Sequence, residues 1–246
     1  MVGKAGRPGR DATAKAMVLC HAPKTQHLRK LLFDPLPIES HLDSYLHDAL
    51  MSEVCIKTIE NQQEALDYLT WSFMYRRLTK NPVYYGLQGV SQEFLGEHLS
   101  DIVETVLGDL GESKCVDLDE ESGDVSALNL GYIGSNYYLA YSTVELVAAS
   151  VTEKTKTRGV IEILSASSEY STLPMRSGEE KQLKILSRGL PYLNKDARWS
   201  DPNNKALILL QSYFERKTLG VDLKQDQDLV VKSAVKILQG EWKASF

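Results

Sequence analysis

The chain has 246 residues, 43% of them apolar and 25% charged, with a net charge of −5. That is long enough for a sizeable core and ordinary for a soluble globular protein, and the acidic balance argues against a general polyanion binder. No apolar run approaches a membrane span and Met1 is not followed by a signal-type apolar region, so a cytosolic or nuclear protein without a membrane partner is expected.

The opening Gly3–Asp11 is rich in glycine and proline and reads as a loop. It lies in a basic stretch: residues 1–30 carry +6, which leaves −11 for the rest, a distribution that suits a local phosphate contact or merely solvated charge. Ala16–Cys20 has the look of a short buried strand, residues 24–33 of a short helix, and Asp34-Pro35-Leu36-Pro37 of an extended connector. From Ser40 the pattern turns helical, with Leu42, Tyr45, Leu46, Ala49 and Leu50 on one face and Ser40 and Asp43 placed as a capping box. A second helix starts at the cap Asn61, has Glu64 three residues on, and is expected to run to about Lys80, where Asn81-Pro82 stops it. A third follows Ser91 and ends at Gly111, burying Leu95, Leu99, Ile102, Val103, Val106 and Leu110. Two strands, Lys114–Leu118 and Val125–Leu130, are joined by the acidic turn Asp119–Asp124. Three helices followed by a hairpin is the order of a winged helix.

Beyond Gly131 everything reads as helix: one long segment Tyr132–Val151, a shorter one Gly159–Tyr170, and a polar stretch Met175–Arg198 broken by Gly178, Gly189 and Pro191. Asp201-Pro202 is a strong helix start, a capping acid with proline in the first turn. Ala206, Leu207, Leu210, Tyr213 and Phe214 are expected to line its buried face, with the end near Gly220 and a last helix over about Gln225–Leu238.

Gly3-Lys4-Ala5-Gly6-Arg7-Pro8-Gly9 resembles motif VI of superfamily 2 helicases of the DExH type, where the pattern is Gly-Arg-Ala-Gly-Arg-Pro. That loop of the second RecA-like domain aims guanidinium groups at the γ-phosphate of ATP, stabilising charge that develops in phosphoryl transfer. By match of position Arg7 is the finger. Lys4 stands where the pattern has its first arginine, keeping the charge and losing the planar fork. Thr58–Asn61, Ala65–Trp71, Tyr75–Leu78 and Asn81–Leu87 resemble the winged-helix region of the tandem-cassette helicase of the U5 small nuclear ribonucleoprotein, its second cassette more than its first. The likeness continues through Leu36–Ser40, Leu128–Gly131, Asn136–Tyr138, Pro174–Arg176 and Leu207–Gln211, covering about residues 1–239. Read from the residues alone, Trp71, Tyr75, Tyr84 and Tyr85 are expected to be core packing groups.

The resemblance implies a mainly α chain: a remnant of a RecA-like α/β domain (1–35), a winged helix (36–130), a helical bundle (131–219) and the truncated start of a helix-loop-helix domain (220–246). It implies a nuclear fragment of an ATP-dependent RNA helicase with snRNA and spliceosomal proteins as partners. One bundle helix of such enzymes lies along the single strand. Asn203–Leu219 is the candidate, with Lys205, Gln211, Arg216 and Lys217 as nucleic-acid contacts. No GxxxxGK[ST] phosphate loop occurs, so this chain by itself is expected to take no cofactor and to be inactive, ATP and Mg²⁺ belonging to the intact parent. Asp119-Glu120-Glu121-Ser122 mimics a DExH box but lies downstream of the loop, where it fits a hairpin turn. Cys20, Cys55 and Cys115 lie far apart and the histidines lack ligand spacing, so no metal site is expected. The rival readings are a non-catalytic docking module of the spliceosome and a cointegrator-type DNA repair helicase.

Overall fold

The computed structural model describes residues 2–34, 38–87, 89, 91–119, 121–152, 154–193 and 198–244, with only the backbone described at Val2 and 241–244. Residues 35–37 of the expected connector and Glu120 of the expected turn lie outside the described residues. The chain forms two compact units, Met1–Glu39 and Ser40–Phe246.

In the first unit the glycine-rich loop turns on Gly6 (φ 85°) and Gly9 (φ 80°), followed by α1 (Thr25–Phe33), which has no buried side chain. Ala16–Cys20 does not form the expected buried strand: it has no regular structure, and Met17 and Leu19 are 85% and 96% exposed. A strand needs a partner ladder, and none pairs with it among the described residues.

The second unit begins with a 3₁₀ turn, Leu42–Tyr45, that leads into α2 (Leu46–Cys55). The Ser40 hydroxyl accepts from the Leu42 N–H at 3.3 Å, so the expected cap tightens a turn and does not start the α-helix. α3 (Gln62–Thr70) starts where Asn61 Oδ1 accepts from the Glu64 N–H at 2.9 Å, while Glu64 reaches back to the Glu60 N–H at 2.7 Å. The single helix expected up to Lys80 is two: Ser72 accepts from the Tyr75 N–H and caps a new one, α4 (Phe73–Lys80). A 3₁₀ turn over Pro82–Tyr85 leads to α5 (Gln92–Glu112), capped by Ser91. The hairpin β1 (Val116–Leu118) and β2 (Val125–Ala127) is antiparallel, pairing Val116 with Ala127 and Leu118 with Val125. An isolated bridge between Asn61 and Asp124 adds a rudimentary third strand, giving the helix order and small sheet of a winged helix.

Leu50, Val54, Ile59, Leu69, Met74, Leu78, Leu99, Val103 and Leu107 fill its core. Two of the four aromatic residues expected there are not in it. Trp71 is 90% exposed and Tyr84 52%, whereas Tyr75 and Tyr85 pack against the core and the Tyr85 hydroxyl bonds the Ser40 backbone.

The helices that follow are α6 (Asn129–Tyr137), α7 (Tyr141–Ser150), α8 (Thr157–Ala166), α9 (Glu179–Ser187), α10 (Pro202–Phe214) and α11 (Val221–Ala244). The long helix expected over Tyr132–Val151 is broken at Tyr138, whose φ is 53°. The break is held from outside: Asp48 accepts from the Tyr141 N–H at 2.8 Å and Glu169 from the Ala140 N–H at 3.1 Å. Burial raises the Asp48 carboxyl above its usual value, partly offset by that Tyr141 N–H. α6 crosses close to the winged helix because two positions lack a side chain. A Cβ on Gly131 would stand 2.2 Å from the Cys115 carbonyl oxygen, and one on Gly134 would stand 2.8 Å from Met51 Cε. Thus α2 serves both halves, packing on α5 and β2 on one side and on α6 and α7 on the other. No helix among the described residues is long and apolar enough to cross a membrane.

Candidate nucleic-acid interface

The helix expected to follow nucleic acid is α10. It starts as its sequence dictates, with Pro202 in the first turn and Asp201 Oδ1 accepting from the Asn203 N–H at 3.0 Å. The rest departs from a one-faced amphipathic helix. Every residue from Asn204 to Ser212 is buried, and Tyr213 and Phe214, expected inside, are exposed. Ala206-Leu207-Ile208-Leu209-Leu210 puts apolar groups on every side of the helix, and a helix that is apolar all round is an interior one. α8, α9 and α11 surround it.

Lys205 therefore does not face solvent. It has no exposed surface, and its Nζ donates to Pro174 O at 2.7 Å, Glu179 Oε2 at 2.8 Å and Asp226 Oδ2 at 2.7 Å. Arg176 completes the cluster. Its Nη1 donates to Glu179 Oε1 at 3.1 Å and to Asp226 Oδ2, and its Nη2 to Asp226 Oδ1 at 3.0 Å. Two cations thus bridge two buried carboxylates, and the formal charges cancel. Burial alone would raise the Asp226 carboxyl, but hydrogen bonds from Arg176 and Lys205 outweigh it and hold the group below the ordinary carboxylate value. The cluster ties the starts of α9, α10 and α11 together.

Gln211 is also interior. Its side-chain amide accepts from the Tyr192 N–H at 2.9 Å and donates to Tyr192 O at 2.6 Å, so it pairs an otherwise irregular segment as a strand would. Lys217 is half-buried and donates to Leu186 O at 2.7 Å and Arg188 O at 2.8 Å, placing a cation on the carbonyl end of α9. Arg216 alone of the four is exposed. It occupies the left-handed position after α10 at φ 52°, with Arg216 N–H to Tyr213 O and Lys217 N–H to Ser212 O closing a Schellman turn. The three partners of Lys205 were not anticipated from sequence, since they come from other helices and from the segment before α9.

In the first unit Lys4 ends a 3₁₀ turn, and Arg7 sits on the exposed loop with its N–H donating to Asp11 Oδ2 at 2.9 Å and its guanidinium 3.7 Å from the same carboxylate. The loop can offer cationic donors to a phosphate. Asp119 serves the hairpin turn: its carboxylate accepts from the Glu121 N–H and from the Ser122 hydroxyl, both at 3.0 Å.

Residues 39–120 match the family model described as a winged helix-turn-helix domain, and residues 127–242 match the one described as the Sec63 Brl domain. The human U5 small nuclear ribonucleoprotein 200 kDa helicase is 43% identical over 239 residues, which is 97% of this chain and 11% of the human protein. The chain is similar to a part of this helicase along nearly its whole length. An Arabidopsis thaliana protein named as a DExH-box ATP-dependent RNA helicase is 44% identical over 239 residues, with the same coverage. A Dictyostelium discoideum protein named as activating signal cointegrator 1 complex subunit 3-like is 43% identical over 244 residues, again 97% of this chain and 11% of that protein. The chain thus spans about a ninth of the length of these relatives, and the two family models match its winged helix and its bundle.

Proposed function

We propose that this chain is the accessory segment of the C-terminal cassette of a nuclear, spliceosomal ATP-dependent RNA helicase that unwinds snRNA. In it, residues 1–35 end the second RecA-like domain, 36–130 form the winged helix, 131–219 the bundle and 220–246 the start of a helix-loop-helix domain. The observation that carries the proposal is the match to such helicases along 97% of the chain, with the winged helix and the bundle each matched by a family model in that order. Arg7 is the finger that meets the γ-phosphate in the intact enzyme, with Lys4 beside it. ATP and Mg²⁺ are bound by the rest of the parent. Of the residues on and after α10, Arg216 contacts RNA directly, and Lys217 stays near it on the end of α9. Lys205 and Gln211 act from inside the bundle by holding that helix in place.

A second reading, a non-catalytic module that docks spliceosomal proteins, is favoured by one observation: two of the four expected RNA contacts are interior. RNA titration of the purified chain at several salt concentrations, beside a pull-down from nuclear extract, separates the two. Affinity for RNA that falls steeply with salt supports the motor segment, since phosphate contacts release counterions. Absence of RNA affinity together with salt-resistant capture of spliceosomal proteins overturns it in favour of docking.

A further inference from the structure

Charge is segregated within the winged helix. Between Asp67 and Glu93 the chain has no carboxylate and three cations, Arg76, Arg77 and Lys80. α5 then carries six carboxylates, Glu93, Glu97, Asp101, Glu104, Asp109 and Glu112, and no lysine or arginine. α5 is the helix just before the hairpin, where a winged helix presents its groove-reading element, and its charge repels phosphate. The cationic element of the domain is the short α4 beside it.

α4 is also where apolar rings face solvent. Trp71, 90% exposed, is the residue just before the Ser72 cap, a position that lies on the same side as the fourth residue of the helix, Arg76. Phe73, 52% exposed, stands three residues before Arg76 and seven before Lys80, spacings that fall on one helix face. Arg76 and Lys80 are exposed. The outer face of α4, with Trp71 just before it, thus carries rings and cations and no acid of its own.

We propose that this face of α4 binds single-stranded nucleic acid, with bases stacking on Trp71 and Phe73 and phosphates held by Arg76 and Lys80. A protein strand would need acidic groups in register with the cations, whereas a single strand brings a phosphate and a π-face with every nucleotide. The site is on the winged helix whereas Arg216 follows α10, and it rests on the helicase reading only for the presence of RNA.

The test is fluorescence anisotropy with labelled oligouridine and its deoxy counterpart, using the full chain and variants of known melting point. Trp71→Ala weakens binding about fivefold or more while Trp71→Phe retains most of it, because base stacking needs a ring. The pair Arg76→Gln and Lys80→Gln flattens the salt dependence by about 1.4 in log–log slope for two single-strand phosphate contacts. Equal effects on both oligonucleotides support a stacking platform, and a larger effect on oligouridine supports one tuned to RNA. Variants that melt as the parent chain does and bind within twofold of it overturn the site, even if Arg216→Gln weakens binding, a result that leaves the helicase reading intact. No binding by the unaltered chain overturns both, and loss of a protein partner alone from the variants assigns the face to protein docking instead.

Discussion

Replacing Lys205 with methionine separates a lysine that holds the bundle from one that holds RNA. Met fills the channel of the aliphatic stem and removes only the ammonium, which donates three hydrogen bonds, two of them to carboxylates. Hydrogen bonds to charged groups are worth about 1.5–3 kcal/mol each. Loss of the cation also leaves Glu179 and Asp226, 5% and 2% exposed, sharing Arg176 alone. Removal of one partner from a buried ionic cluster costs about 3–5 kcal/mol, because the remaining charges stay out of water. Against a typical domain stability of about 5–15 kcal/mol, that is a large share of the whole. Urea unfolding followed by far-ultraviolet circular dichroism reads the loss directly, and adding Glu179→Gln to Lys205→Met returns part of it by removing one stranded charge. In the folded fraction, RNA affinity stays within twofold. A stability loss below about 1 kcal/mol, well short of the range for a buried pair, refutes the reasoning, all the more if RNA affinity falls sharply.

Arg216→Gly raises stability by about 1 kcal/mol, because glycine carries no steric penalty at φ 52°, and urea unfolding reads the gain. The same change weakens RNA binding if Arg216 is a contact. Gly131→Ala destabilises the chain by at least about 1–3 kcal/mol, since its methyl group meets the Cys115 carbonyl, whereas Gly96→Ala, which meets nothing within 4 Å, is neutral or stabilising. The Tyr170 hydroxyl donates to Val230 O at 3.0 Å, and burial, with a smaller push from Glu169, raises the phenol above its usual value. Its contribution is present below a pH of about 10 and is lost as pH rises toward the folded value, so Tyr170→Phe flattens the alkaline limb of a stability profile. Asp226 behaves oppositely. Its contribution holds above a pH of about 3.9, is lost as pH falls through its lower folded value, and disappears from the acid limb in Asp226→Asn.

Helix starts were legible because their signals are local: Asn61, Ser91 and Asp201 all cap through their own side chains, as expected. Helix ends were not. α2, α5, α6 and α10 end through left-handed residues that are Lys57, Lys114, Tyr138 and Arg216, none of them the glycine that marks such turns. This is why Tyr132–Val151 read as one helix and why α10 was extended toward Gly220. Ser72 was a readable cap inside the supposed long second helix, masked by apolar periodicity that runs through it. The candidate site was less accessible still. Leu209 and Ile208, on the side of α10 opposite the expected buried face, signalled an interior helix, yet the partners of Lys205 lie 21 to 31 residues away along the chain. A lysine in an apolar run announces that it needs anions without saying where they are. The exposure of Trp71 and Tyr84 was hidden for a similar reason, because aromatic residues at helical spacing look the same whether a neighbour covers them or not.

If this segment completes an RNA motor, RNA-stimulated ATP turnover and duplex unwinding of the full-length helicase depend on Arg7, and Arg7→Ala in this cassette measures that dependence. Turnover is expected to fall about a thousandfold or more at unchanged RNA affinity, the size of effect that loss of an arginine finger has. Turnover and unwinding at the level of the unaltered enzyme would contradict that dependence and leave the segment as a docking module.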